Sequence, residues 1–208
     1  MDELAKAVKE LFFVRDDVYA RQIEGLNEYS VIKEAVTEKL IKGHLNGRLT
    51  IGSFQIDPKN NKVKWICFDF DVDENSSLEI EFEKAKILCN RLKKGGYHPL
   101  LEFSGRRGYH VWLFVEPADS SIARKFALDI SRDIRVHEVF PKQDKLNGKG
   151  FGAMVKVPLG IHMASNKWSY FYDDGFERLS SNESRGVLTT IKKRDIIKTS
   201  NISDFIIQ

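Results

Sequence analysis

The stretch VKWICFDFD, residues 63–71, is rich in β-branched and aromatic residues and follows a turn built from Asp57, Pro58, Lys59, Asn60 and Asn61. It reads as a strand. A side-chain period of two sends Asp69 and Asp71 to one face, with backbone anchors roughly 6–7 Å apart, and Phe70 to the other. From this strand outward the order is regular: a helix over about 78–94, a strand over about 98–103, a turn at Gly105–Gly108, a strand over 109–115, a helix over about 119–132 and a strand over 134–139. Gly95 and Gly96 stop the first helix, and Pro117 with Asp119 and Ser120 starts the second. The sum is β-α-β-β-α-β, the split βαβ arrangement, within an α/β (α+β) chain.

Upstream, residues 3–13 and 27–43 read as helices. In the second, Ile32, Val36 and Leu40 recur at spacing four beside Ala35 and Ile41, and Gly43 offers a stop. Leu49–Ile56 has strand character. Downstream, PKQDKLNGKG at 141–150 has almost no apolar content and reads as a solvated basic loop, after which strands resume at Met154–Val157 and Trp168–Phe171. The tail holds Val187–Ile191, the basic residues Lys192, Lys193, Arg194 and Lys198, and a final apolar Phe205–Ile207.

With 208 residues, 42% of them hydrophobic, the chain can bury a core for one domain or for two small modules sharing an interface. No run approaches the roughly 18–20 apolar residues that cross a bilayer, and the start MDELAKAVKE is acidic where a secretory signal is basic, so a cytoplasmic protein without membrane contact is expected. Cys67 and Cys89 sit in apolar patterns and are expected as buried thiols rather than a disulfide. Lys and Arg outnumber Asp and Glu by 33 to 30, too small an excess to identify a partner by itself.

Asp69 and Asp71 on one face repel and are costly to bury unless a cation lies between them, which makes Mg²⁺ or Mn²⁺ a natural occupant. The same residues also fit a turn start with Asp71, Asp73 and Glu74 in water. A third oxygen ligand would come from a neighbouring strand end. Glu138 in RVHEVF ends the last strand of the unit, and its place relative to the pair is open from pattern alone. In LEFSGRRGYHVW, glycines let a backbone approach phosphate, while Ser104, Arg106, Arg107 and His110 supply donors to phosphate oxygens. A plain hairpin with solvated arginines fits that segment too. VKVPLGIH adds Lys156 and His162 around a kink at Pro158 and Gly160, either as nucleotide contacts or as ordinary surface groups. Lys142, Lys145 and Lys149 in the loop and Lys192, Lys193 and Arg194 in the tail are candidate contacts to a nucleic-acid backbone. Tyr109 and Trp168 are candidate stacking aromatics, although core packing is the first expectation for Trp168.

Taken together these motifs resemble the archaeo-eukaryotic primase superfamily. FDFD resembles its DxD metal motif, SGRRGYH its sxH nucleotide motif and HEVF its third acidic motif, with Glu138 where Asp is usual. FPKQ and VKVPLGIH are most similar to primase-polymerases associated with CRISPR and other prokaryotic conflict systems, and the likeness covers roughly residues 45–175. No cysteine–histidine cluster resembles the zinc module that many primases carry.

The resemblance implies a primase fold in which residues 63–140 form an RRM-like catalytic module. Residues 1–62 would form an N-terminal α/β module, and 141–208 would complete the cleft between them. It implies that Asp69, Asp71 and Glu138 hold two Mg²⁺ or Mn²⁺ ions and that Ser104, Arg106, Arg107, His110, Lys156 and His162 receive a nucleoside triphosphate. The implied activity is DNA-templated joining of NTPs or dNTPs on a single-stranded template and primer by a monomeric core, in CRISPR spacer acquisition or a related defence, with CRISPR adaptation proteins as partners. The competing reading is an RRM-like single-strand-binding module without catalysis. A nuclease or nucleotide cyclase using the same paired acids is a further one.

Overall fold

The computed structural model describes residues 2–148, 150–191 and 195–202. Helix α1 (Glu3–Phe12) opens on the N-cap Asp2, whose side chain accepts from the Leu4 amide. An antiparallel hairpin, β1 (Tyr19–Gln22) and β2 (Tyr29–Ile32), is followed by α2 (Glu38–Leu45) and β3 (Ile51–Phe54). The expected β-α-β-β-α-β unit comes next as β4 (Lys62–Asp71), α3 (Leu78–Lys94), β5 (Leu100–Phe103), β6 (Gly108–Asp119), α4 (Ser120–Ser131) and β7 (Glu138–Phe140). β8 (Met154–Lys156), β9 (Ile161–His162), β10 (Lys167–Trp168), β11 (Tyr170–Phe171) and α5 (Ser181–Thr190) follow.

The helix expected over 27–43 is corrected to a strand, a connector and a short helix. Ile32 packs from β2, Val36 from the connector and Leu40 from α2, so their spacing of four runs across three elements. Long-range pairing decides the matter: β1 bonds both β2 and the distant β3, which local periodicity does not register. The real helix start is Thr37, whose hydroxyl accepts from the Leu40 amide.

Two antiparallel sheets organise the chain. The central one has strand order β11-β5-β6-β4-β7 and the second β2-β1-β3-β8. On one face of the central sheet, Phe68, Phe70, Val111 and Leu113 pack with Leu88 and Leu92 of α3 and Phe126 and Ala127 of α4. Burying each large side chain of this kind contributes about 1.5–3 kcal/mol. On the other face, Trp65, Cys67, Trp112, Phe114 and Phe140 pack against Ala5, Val8 and Phe12 of α1, Ile41 of α2, Ile51 of β3, Val155 of β8 and Leu188 of α5. The central sheet is therefore the middle layer of three. Cys67 and Cys89 are buried free thiols. No helix among the described residues is long and apolar enough to cross a membrane.

Register places the chemistry. Leu100, Trp112, Cys67 and Phe140 align across β5, β6, β4 and β7 as one apolar rung beneath the second sheet. Two residues further along the same strands, the rung on that face is Glu102, His110, Asp69 and Glu138. A core-facing surface thus becomes ionisable in a single step of the strand period.

Candidate active site

Three members of the polar rung, His110, Asp69 and Glu138, line the floor of a cavity of about 270 Å³ that extends between the two sheets, and Glu102 lies behind it. Asp69, Asp71 and Glu138 line it together with Ser104, Arg106, Arg107, His110, Lys156 and His162, so all nine candidate catalytic and nucleotide-binding residues share one space. Glu138 is the direct cross-strand partner of Asp69 on β7, which resolves the placement that pattern reading left open.

Asp69 is the least satisfied of the three acids. Its Oδ1 is buried and has no hydrogen-bond partner among the described residues. Burial pushes its carboxyl up to about 6; His110 opposes the rise, while Asp71 and Glu138 add to it. The other two acids hold protein cations. Arg107 Nε donates to Asp71 Oδ2 at 2.7 Å, and Lys142 ion-pairs with Glu138. Lys142, expected on a template-binding loop, therefore lies at the acids. As these side chains stand, no three His, Cys, Asp or Glu groups among the described residues cluster closely enough to hold a metal ion. The donor set nevertheless suits a hard divalent cation: carboxylate oxygens only, one of them orphaned, the others neutralised by two positively charged side chains.

The glycine turn forms the next wall. The Ser104 hydroxyl donates to the Gly108 carbonyl at 2.9 Å and the Ser104 amide bonds the same oxygen, so this side chain closes the turn. Gly105 has φ 96°, a conformation that favours glycine, and its carbonyl accepts from the Ser165 hydroxyl at 2.6 Å. Arg106 lines the cavity without a carboxylate partner among the described residues.

From the second sheet, Lys156 of β8 points its amine between the Val157 carbonyl at 3.2 Å and Ser169 Oγ at 3.3 Å. Burial pulls its pKa down, and the nearby Glu102 carboxylate works against that fall. His162 is pushed down to about 4 by burial, then by Lys156 and Arg106, and is therefore neutral at pH 7. Its Nδ1 accepts from the Ala164 amide at 3.3 Å, which leaves Nε2–H to donate to Asn27 Oδ1 at 3.1 Å. The kink between these residues is pinned by His44, whose ring occupies the space above Gly160 and bonds the Pro158 carbonyl at 3.0 Å.

Several expectations shift. Tyr109 is buried in the helix-side core, whereas Trp168 is 43% exposed and lies against Gly47, so the exposed aromatic is the one first expected in the core. Trp168 sits in a two-residue strand that, among the described residues, pairs with β9 alone. Lys145 is exposed, while Lys149, Lys192, Lys193 and Arg194 lie outside the described residues.

Among the polar residues that line or support the cavity, Asn27, Tyr29 and Glu102 were not anticipated. Asn27 and Tyr29 belong to the segment misread as a helix. Glu102 lies between the core residues Leu101 and Phe103, and strand alternation from His110 through the turn was the available signal for it.

The sequence matches the family model described as "TOTE conflict system, Archaeo-Eukaryotic Primase domain" over residues 27–202. The chain belongs to this archaeo-eukaryotic primase family. No curated protein matches it significantly. Solved structures similar to this primase-family chain include the AEP domain of the cyanophage S-2L primase-polymerase, at 9% identity and TM-score 0.48, covering 90% of this chain and 98% of that one. Another is the catalytic domain of primase RepB′ in complex with initiator DNA, at 9% identity and TM-score 0.47, covering 90% and 94%. A further structure of primase RepB′ matches at 8% identity and TM-score 0.46; the match covers 89% of this chain and 62% of that one.

Proposed function

We propose that this chain is a DNA-templated primase-polymerase that joins NTPs or dNTPs by metal-dependent nucleotidyl transfer. The observation that supports it most is that Asp69, Asp71 and Glu138 line one cavity together with Arg106, Arg107, Lys156 and His110. Asp69, Asp71 and Glu138 would hold Mg²⁺ or Mn²⁺, which when bound lowers the pKa of an attacking hydroxyl and neutralises charge on the reacting phosphate. Arg106 and Arg107 meet the triphosphate, and Arg107 exchanges its bond to Asp71 for one to phosphate. Lys142 likewise withdraws from Glu138. Lys156 adds a point charge from the opposite sheet.

A defence setting accords with the family's description as part of a conflict system. The CRISPR-linked form of that setting rests on the likeness of the FPKQ and VKVPLGIH segments. The rival single-strand-binding module would need exposed aromatics on the central strands. Trp65, Phe68, Phe70, Tyr109, Trp112 and Phe114 are all buried instead.

The deciding experiment combines single-stranded template, with and without primer, with NTPs or dNTPs and Mg²⁺ or Mn²⁺. Strand extension that stops on chelation is expected. Template binding without incorporation under every condition would overturn the proposal in favour of the binding module. Within the same assay, Arg106→Ala is expected to raise the KM for nucleotide roughly 10–100-fold with little change in kcat, because a free guanidinium contributes charge-assisted bonds to bound phosphate. An unchanged KM would remove Arg106 from the nucleotide site.

A further inference from the structure

Glu102 is the one member of the polar rung that the proposed chemistry does not use. It is 0% exposed, and the neighbouring rung on the same face is filled entirely by apolar side chains, so packing alone does not call for a carboxylate here. Its Oε2 accepts from His110 Nδ1 at 2.9 Å and from Trp112 Nε1 at 2.8 Å. Its Oε1 has no hydrogen bond among the described residues and faces Lys156 Nζ at 3.7 Å. One buried anion therefore touches His110 on the central sheet and Lys156 on the second, and both of those line the cavity.

This geometry constrains both partners. An imidazole that donates from Nδ1 presents Nε2 to its other side, and His110 Nε2 lies 3.7 Å from Asp69 Oδ1 on the cavity floor. The aromatic edge of Trp112 stands against the His110 ring at 5.5 Å between centroids and 85°, which fixes the ring plane. Lys156 is held by Glu102 at one side and by Ser169 and Val157 at the other.

We propose that Glu102 is a positioning residue that locks the His110 ring with Nε2 toward the cavity and ties Lys156 of the opposite sheet to it, setting the two walls in register for the triphosphate. This inference rests on the primase-polymerase reading of the cavity. Glu102 touches no substrate; it acts through His110 and Lys156, as a carboxylate behind a ligand histidine does.

The test joins a spectroscopic readout to kinetics. In nitrogen-15-labelled wild-type protein, the protonated nitrogen of His110 that bonds Glu102 is expected to be Nδ1, with a downfield, slowly exchanging proton. Glu102→Gln replaces the charge at constant size, and that resonance should move upfield and exchange faster. Extension kcat should fall tenfold or more. The Glu102→Gln, His110→Ala double variant should lose clearly less than the product of the two single losses, since Glu102 acts in part through His110. Glu102→Asp keeps the charge but withdraws it by one methylene. It should fold and show the same kinetic loss, and it stands in if the Gln variant does not fold. A His110 Nδ1 without a proton in the wild type, full kcat in Glu102→Gln, or losses that multiply in the double variant would each overturn the proposal. A wild-type protein that extends no primer overturns the primase-polymerase reading instead, and the imidazole resonance still reports whether Glu102 orients His110.

Discussion

Asp69→Asn is expected to abolish nucleotide incorporation and, in the metal-free protein, to raise the thermal midpoint. The two effects share one cause. Asp69 is buried beside Asp71 and Glu138 with an orphaned oxygen, so its ionised form is a burden on the fold whenever no divalent cation is bound. A carboxyl raised from 3.8 to about 6 burdens the folded state fully above pH 6 and not at all below 3.8. That gap corresponds to about 3 kcal/mol. For a chain of this size the gain in midpoint at pH 7 is roughly 5–10 °C. As pH falls from 7 toward 4 the advantage of the Asn variant over the metal-free wild type should shrink to nothing, because only the wild type is relieved by protonating Asp69; the buried His44 and His162, both pushed down to about 4, lose stability alike in the two proteins. Thermal scans of both proteins in chelator across this interval, beside extension assays in Mg²⁺ and Mn²⁺, measure both halves. A destabilised Asn variant, or one that still extends a primer, would count against Asp69 as the strained acid of a metal site.

Gly108→Ala removes no reactive atom, yet it should cost about 3 kcal/mol or more and eliminate activity. Gly108 is the register partner of Asp71 on the adjacent strand. A Cβ there would lie 2.3 Å from Asp71 Oδ1, 2.4 Å from the Phe70 carbonyl oxygen and 2.9 Å from Asp71 Cα. Two of these three atoms are backbone, so no rotamer change relieves the overlap, and β4 and β6 must separate where the acids are held. Chemical denaturation gives the cost. Gly186→Ala is the matched control: the residue lies inside α5, and outside its own helix backbone nothing among the described residues lies within 4 Å of the added methyl, so it should gain about 0.5–1 kcal/mol from helix propensity. Equal behaviour of the two variants would show that the tight approach at Gly108 is not a constraint.

Much of the fold was legible because its strongest signals are local. Asp69 and Asp71 share a face by strand period, α3 ends at the glycine pair, and the glycine turn joins two apolar strands as read. The hairpin over 19–32 was not legible, because β1 gains its order from β3, some thirty residues away, and the connector happened to continue a helical spacing. Asn27 and Tyr29 were lost from the candidate site with it. Trp168 was misplaced for a related reason: its apolar bulk signals a core, but in the two-stranded hairpin that carries it the side chain stays 43% exposed.

By itself the sequence determined the alternation that aims the two aspartates together, the basic glycine turn and the order of the elements from β4 to β7, since each depends on neighbours a few residues apart. Tertiary structure alone decided that Glu138 stands beside Asp69, that Lys156 and His162 arrive from two other sheets, and that Glu102 is buried behind them. Strand pairing and layer packing join residues far apart in the chain, and the depth at which a carboxylate is stripped of water is a property of those layers.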